Sequence, residues 1–383
     1  MSSATVVAPQ QVALLDVRVD RRELLAELAI VARAAPRLTT IPVLSHVALI
    51  AMEDRLILKA TDLAVSQISW CGANVQAQGG LAVPASILLR LLKALPSDEV
   101  RLSQPEPLQL HVEGGSATYA LESLSIDDFP AIPEVQGEQV ALPDFRRMVA
   151  KVLFAVSAEV SRFQLNGALL KVKDGSLEIV ATDGHRLALV EGDGQPGKAL
   201  EPVMVPRGAL VELARYRGVD DLFLRREGEH LEFACGRRRL LCSRLEGGFP
   251  LYEKVIEAAV SRAQTNLTVD RRRLSEALGR VRLLESRNSM FGVQLAAEGC
   301  VITMTATASR AGCSVRESVE CTPQDGPPVT VRAQARFLAE QLRVIDAARV
   351  QLHLQDDAMG AIVVYPDPQP ERRQLGLIMP MRA

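Results

Sequence analysis

The chain has 383 residues, 48% of them hydrophobic and 23% charged, with a formal net charge of −2. That length allows two or three domains with ordinary cores, and so apolar a composition excludes a disordered chain. No apolar run approaches the ~18 residues of a membrane span, and the N-terminus lacks the basic start and apolar stretch of a secretory signal, so a cytoplasmic protein is expected.

Residues 1–13 read as a disordered leader. The six cysteines form no C-x-x-C pair and sit mostly in apolar, strand-like runs, so buried thiols are expected. The five histidines show no metal-ligand spacing, so neither a metal nor a cofactor is expected.

Taken in order, the chain repeats itself. A strand leads into a basic amphipathic helix at Val17–Leu25, again at Ala141–Val149 and again at Leu267–Leu274. A strand ends at a polar turn at Thr61-Asp62, Thr182-Asp183 and Thr307-Ala308. A strand feeds a second helix at Val83–Leu88, Val205–Leu210 and Val331–Leu338. The three threonines are 121 and 125 residues apart, and Phe129-Pro130 recurs as Phe249-Pro250 after 120. A period near 120 residues is the size of a domain, not of a solenoid unit. The expectation is three α+β domains at 14–135, 139–260 and 265–383, each with two helices packed on antiparallel sheets. Asp20, Asp144 and Asp270 stand where a cap would start the first helix of each copy.

Charge is distributed unevenly. The six helical segments are each net positive and together carry +11, which leaves −13 for the rest of the chain. If they share one side, that side attracts a polyanion and the other repels it. The candidate phosphate contacts are Arg21, Arg22, Arg37, Arg90, Lys93, Arg146, Arg147, Lys151, Arg215, Arg273, Arg280, Arg336 and Arg343. Few aromatic or amide side chains accompany them, so such a surface would offer phosphate contact without sequence readout.

The most informative stretch is Thr182-Asp183-Gly184-His185-Arg186-Leu187-Ala188. Asp-Gly marks a tight turn between two apolar strands. Alone, it reads as a turn, as a ligand site, or as an acid–base pair Asp183/His185 with Cys242 or Ser243 as nucleophile. No P-loop, G-x-S-x-G or G-x-G-x-x-G accompanies it, which disfavours an enzyme.

The three repeats, this seven-residue motif, Phe249-Pro250 and the terminus Met379-Pro380-Met381-Arg382 closely resemble the bacterial sliding clamp family, the beta subunit of DNA polymerase III. The resemblance covers roughly residues 14–383. It implies a non-catalytic processivity factor: a head-to-tail homodimer that closes into a ring of six domains around duplex DNA, helices inside and sheets outside. The closing contact would involve Tyr119 on an edge strand and the pair Leu283-Leu284.

The resemblance also implies a groove that captures linear motifs of the replicative polymerase, the clamp loader, other polymerases and repair proteins. Carried over by position, it would use Leu165, Thr182, Gly184, His185, Arg186 and Leu187, then Pro250, Lys254 and Val255, and finally Ile378, Met379, Pro380, Met381 and Arg382. Methionines and a proline would form an adaptable floor, with His185 and Arg186 as polar anchors at the rim.

The chain departs from the family pattern at Gln164, Leu251, Lys254 and Ala383, and at Glu159 on the DNA side. Two alternatives follow: a divergent second-copy clamp with altered partner preference or inhibitor resistance, and a monomeric three-domain adaptor that never encircles DNA.

Overall fold

The computed structural model describes residues 14–216, 222–285, 291–308, 312–355 and 360–381. One order of elements runs through it three times. The first copy is β1 (Asp16–Asp20), α1 (Arg21–Val31), β2 (His46–Met52), β3 (Arg55–Thr61), β4 (Val65–Ala77), β5 (Gly79–Pro84), α2 (Ala85–Ala94), β6 (Glu99–Glu106), β7 (Gln109–Gly114) and β8 (Ala117–Glu122), followed by the short β9 (Leu124–Ser125). The second is β10 (Val140–Ala141), α3 (Phe145–Val152), β11 (Gly167–Lys173), β12 (Ser176–Thr182), β13 (Arg186–Asp193), β14 (Leu200–Pro206), α4 (Arg207–Leu213), β15 (Phe223–Glu227), β16 (His230–Cys235) and β17 (Arg238–Ser243). A further helix, α5 (Tyr252–Ser261), leads on to the third copy. That copy is β18 (Thr265–Asp270), α6 (Arg271–Val281), β19 (Gly292–Glu298), β20 (Val301–Ala308), β21 (Cys313–Glu320), β22 (Val329–Gln334), α7 (Ala335–Arg343), β23 (Arg349–Leu354), β24 (Ile362–Asp367) and β25 (Gln374–Ile378).

Local chemistry explains the helix starts. The Asp20 carboxylate accepts from the Glu23 N–H and the Asp270 carboxylate from the Arg273 N–H, both at 2.8 Å, satisfying donors that the first helical turn leaves unpaired. Asp144 departs from this expectation. Its backbone lies in the left-handed region at φ 50° and its side chain makes no cap, pairing instead with Arg147 at 3.2 Å. Pro143 precedes it, and the strand entering this helix is only two residues long. A proline cannot donate to a strand ladder.

Helical spacing puts Ala85, Leu88 and Leu92 of α2, and Leu274, Ala277, Leu278 and Val281 of α6, into apolar cores. Burying each such leucine contributes about 1.5–3 kcal/mol. Of the cysteines, Cys71, Cys235 and Cys242 are buried as expected. Cys300, in the turn after β19, and Cys313, on β21, are exposed, and Cys321 is half-buried.

The chain divides into two compact units, Met1–Gln139 with Phe223–Ser243, and Val140–Leu222 with Arg244–Ala383. In the first unit the strand path is β15-β16-β17-β4-β1-β6-β7-β8, and β3, β2, β5 and β9 branch in sequence from β4. In the second, an eight-stranded sheet runs β14-β11-β12-β13-β25-β24-β23-β18, beside a four-stranded sheet β21-β20-β19-β22.

Two joints in this topology follow one rule. The last strand of the second copy, β17, pairs antiparallel with β4, the third strand after the opening helix of the first copy. The last strand of the third copy, β25, pairs in the same way with β13 of the second, Leu187 opposite Leu377. The two strands that the rule leaves over, β8 and β21, are sheet edges.

The first joint is fixed by a buried ion pair. Glu27 on α1, 4% exposed, accepts from both Nε and Nη2 of Arg238 on β17 at 2.9 Å and from the Ser69 hydroxyl at 2.7 Å. Burial alone would raise its pKa. The hydrogen bonds from Arg238 and Ser69 outweigh that and hold the carboxyl below its ordinary 4.5. A depressed carboxyl contributes stability that is present above its unfolded pKa and lost as pH falls through the folded one. The melting temperature of the wild-type chain should therefore fall with acidification below pH 4.5, and Glu27→Gln should flatten that dependence. At neutral pH, Glu27→Ala should cost about 3 kcal/mol, read by chemical denaturation, because it breaks a largely buried ion pair.

Candidate functional site

The turn between β12 and β13 is built by its own side chains. Asp183 Oδ1 accepts from the N–H groups of His185 and Arg186 at 2.9 and 3.0 Å. The Thr182 hydroxyl donates to the Arg186 carbonyl at 2.7 Å and accepts from the Gly184 N–H at 3.1 Å. The first copy repeats this: Asp62 accepts from the Ala64 and Val65 N–H groups, and Thr61 from that of Leu63. The third counterpart, after Thr307-Ala308, enters residues outside those described.

Leu63 sits at φ 74° where Gly184 sits at φ 86°, so the turn itself tolerates a side chain at some strain. At 184 space is tight as well. A Cβ there would stand 3.0 Å from Nη1 of Arg162 and 3.8 Å from the end of Leu165.

Arg186 is the largest correction to the sequence expectation. Its side chain is 8% exposed, so it is not a rim anchor. It pairs with Asp183 at 3.0 Å and with Glu340 of α7, donates to the Phe154 carbonyl, and lies over the rings of Phe154 and Phe337 at 5.0 and 4.3 Å. Burial pushes the Glu340 carboxyl up, but hydrogen bonds from Arg186 and Arg336 prevail and leave it below its ordinary value. Arg186 thus fastens β13 to the third copy's helix and holds the turn in place. A periodicity argument could not find this, because its partner lies 154 residues away.

His185 remains exposed, stacked at 6.4 Å on Phe337, with its ring nitrogen 3.4 Å from Arg162. Arg162 also donates to the Asp183 carbonyl at 2.6 Å, a contact that the sequence did not suggest.

The C-terminal segment returns to this turn. Beyond the β13–β25 pairing, the Met379 N–H donates to the His185 carbonyl at 2.8 Å and the Met381 N–H to the Arg332 carbonyl at 2.7 Å. Strand alternation then divides the terminus between two cores. Leu375 and Leu377 are buried with Leu187, Tyr252 and Ile256, and Met379 packs partly buried against them. Ile378 points the other way, into the third copy's core at 1% exposure. Ile378 is therefore a core residue, and Leu377 takes the place expected for it. Thr182, 8% exposed, is likewise spent on the turn.

The opposite wall is α5. The Pro250 carbonyl accepts from the Tyr252 N–H at 2.7 Å as the helix begins. Lys254 and Val255 lie on its exposed side, Val255 at 45% exposure beside Leu251 at 68%. Tyr252 anchors the helix through hydrogen bonds with Glu178 and Lys171, and Lys171 pairs with Glu253 at 2.6 Å. Half-buried Leu165, Met379, Pro380 and Met381, together with exposed Phe163 and Val255, give this region apolar side chains that the fold does not bury. Arg382 lies outside the described residues, as does Ala383.

The acid–base reading of the turn fails on geometry. Asp183 is occupied by two backbone N–H groups and Arg186, while His185 faces Phe337 and Arg162. Burial pushes the Cys242 thiol up to about 12, which makes it a poor nucleophile.

The candidate DNA contacts also divide. Arg21 is turned inward: it donates to the Leu92 carbonyl at 3.2 Å, and its side chain is 19% exposed. Its counterpart Arg271 binds the Ala347 carbonyl in the same way, so this position ties the two helices' surroundings together and does not face solvent. Lys151 is held by Asp346 at 2.9 Å and Gln374 at 3.1 Å. Arg22, Arg147, Arg215, Arg273, Arg280 and Arg336 are at least half exposed in surface pairs with Asp98, Asp144, Glu212, Glu320, Glu317 and Glu340. Such pairs are worth only about 0–1 kcal/mol and exchange readily for phosphate. Arg37, Arg90, Lys93, Arg146 and Arg343 make no ion pair with a described residue.

At the sheet edges, Tyr119 is 36% exposed on β8 and Leu283 is 82% exposed after α6. Leu284 packs partly buried against the third copy's core.

Comparison with known proteins identifies this architecture. Family models of the DNA polymerase III beta subunit match its N-terminal domain at residues 15–133, its central domain at 139–251 and its C-terminal domain at 261–382. The beta sliding clamp of Pseudomonas aeruginosa is 31% identical over 378 residues, covering 95% of this chain and 99% of that protein. The crystal structure of the C. crescentus clamp aligns with a TM-score of 0.88 at 30% identity over 97% of this chain and 99% of that one. That of the P. aeruginosa clamp bound to griselimycin aligns at 0.87 and 28%, over 97% and 100%. The chain belongs to the beta subunit family of DNA polymerase III, the bacterial sliding clamps, and is a non-catalytic DNA clamp.

Proposed function

We propose that two copies of the chain, each with clamp domains at 14–135, 139–260 and 265–383, join head to tail into a ring around duplex DNA. The observation that carries this reading is the joint rule. Within the chain, the last strand of each copy docks on the third post-helix strand of the copy before it. Extended across chains, β8 of one copy docks on β21 of another, and both are sheet edges. Exposed strand edges are aggregation hazards unless paired or covered. A contact between two different surfaces gives a ring when its rotation closes. Tyr119 and Leu283 lie at the two faces so joined.

In this reading the basic helices line the hole. Arg22, Arg37, Arg90, Lys93, Arg146 and Arg343 supply loose phosphate contacts that slide because they read no bases. The processivity of the polymerase then comes from encirclement, not from affinity. The groove formed by Leu165, Gly184, His185, Leu187, Pro250, Lys254, Val255, Leu377, Met379, Pro380 and Met381 receives linear motifs of the replicative polymerase, the loader and other polymerases and repair proteins in the cytoplasm. Methionines adapt to different apolar side chains at such a surface. The relatives do not favour the second-copy alternative. The monomeric adaptor would lack the closing joint, so oligomeric state discriminates it.

The ring and the groove each predict measurable outcomes. Light scattering should give twice the 41.6 kDa chain mass. Leu283→Asp, which removes nothing from a core, should shift the population toward the single chain; a monomeric wild type at micromolar concentration would sink the ring. After loading, the protein should stay on circular DNA and leave when the circle is cut, and retention on linear DNA would argue for direct binding. Deleting residues 379–383 should abolish binding of a polymerase-derived clamp-motif peptide without loss of fold. His185→Ala should weaken that peptide alone, whereas Arg186→Ala should cost stability as well, about 3 kcal/mol, because it removes the buried cation that Asp183 and Glu340 share.

A further inference from the structure

We propose that the first compact unit carries a second docking site, on the sheet face turned away from α1, for an acidic linear peptide with apolar side chains. Strand alternation defines the face. Gln67, Ser69 and Cys71 of β4 are buried on the helix side, where Ser69 meets Glu27 of α1. Ile68 and Trp70 therefore point to the opposite side. There a cavity of about 540 Å³ is walled by β3, β4, β15–β17 and residues 132–137.

Its floor is apolar. Ile57 lies directly across from Trp70, and Leu241 and Ile68 continue the surface over β17 and β4. Its rim is cationic. Lys59 and Arg239 flank Ile68 on the two neighbouring strands, which places them about 10 Å apart across the cavity. Arg55 and Arg237 stand over the Trp70 ring at 4.8 and 5.2 Å, and Arg225 closes the far side.

The cavity is lined by five cationic side chains and only two carboxylates, Glu134 and Glu232. Glu232 is buried and shared between Arg225 at 2.9 Å and Arg239 at 3.9 Å, and Lys59 makes no ion pair with a described residue. A positive surplus over an apolar floor is unexpected on a sheet face of a chain that, outside its helices, carries −13. Arg55 pairs with Asp54 at 3.3 Å and Arg237 with Glu23 of α1, so the cations left to a ligand are Lys59 and the loosely held Arg239.

Charge complementarity decides the occupant. Leucine or isoleucine side chains of an extended segment fit the aliphatic floor, while its Asp or Glu carboxylates reach the rim. Nucleic acid fits less well. The Trp70 ring carries guanidinium groups where a base would stack, and the aliphatic floor offers no donors to phosphate. Because the docking surface is built from Trp70, Lys59 and Arg239, it shares no residue with the groove at the C-terminus.

Trp70 is the chain's one tryptophan, so its fluorescence reports on the cavity directly. The full-length protein is titrated with a capped octapeptide of alternating Glu and Leu. A saturable emission change that weakens as ionic strength rises is expected. Lys59→Ala should weaken binding several-fold, and Lys59→Glu with Arg239→Glu at least about tenfold, with the melting curve checking the fold. The chain lacking residues 379–383 should bind as well as wild type. No saturable change, or unchanged affinity in both Lys59 variants, would overturn the proposal. So would equal binding of polyglutamate, which removes the apolar requirement, or displacement of the peptide by oligodeoxythymidylate at lower concentration.

Discussion

The structure depends on one kind of contact, the edge-to-edge pairing of strands from successive copies. β17 on β4 and β25 on β13 each extend a sheet across a repeat boundary, so neighbouring copies share backbone hydrogen bonds and not merely side-chain surface. Backbone pairing alone does not fix register, since a slip of one residue exchanges the two faces of a strand. Both joints carry a buried ion pair that does. Glu27 meets Arg238 at the first, and Arg186 meets Glu340 and Asp183 at the second. Such pairs give little net stability against apolar substitutes, but removing one partner is costly, and that asymmetry makes them effective at specifying one arrangement.

The proposed peptide groove would be a consequence of the second joint. Pairing β25 with β13 delivers residues 379–381 beside the Thr182–Arg186 turn and puts Leu377 and Met379 on the side of Leu187, Tyr252 and Ile256. The turn exists in the first copy too, with Leu63 at its strained position. It becomes part of a site only where a returning chain end, helix α5 and the Arg162–Gly184 contact converge on it. At Gly184 the positive φ favours glycine, and the nearby Arg162 guanidinium adds a close contact for any Cβ.

Much of this was legible in the sequence, because repetition is a pattern and patterns survive without coordinates. The three copies, their helices and strands, the caps at Asp20 and Asp270 and the recurring turn all follow from spacing. What was not legible depended on which way a side chain turns. Arg186 and Arg21 read as outward cations because arginine usually is one, yet a carboxylate or carbonyl distant in sequence captures each. The family resemblance places Ile378 in the groove, although strand alternation sends it to the opposite core. Asp144 failed as a cap because Pro143 altered the backbone before it. The basic cavity around Trp70 was invisible, since its five cations come from three strands and a turn that lie far apart in the chain.

Amide hydrogen exchange on the full-length protein at high and low concentration tests the joint rule most directly. The account predicts that amides of β8 and β21 lose protection together on dilution, while β4, β17, β13 and β25 keep theirs. Concentration-independent protection at β8 and β21, or loss at all the joint strands together, would contradict it.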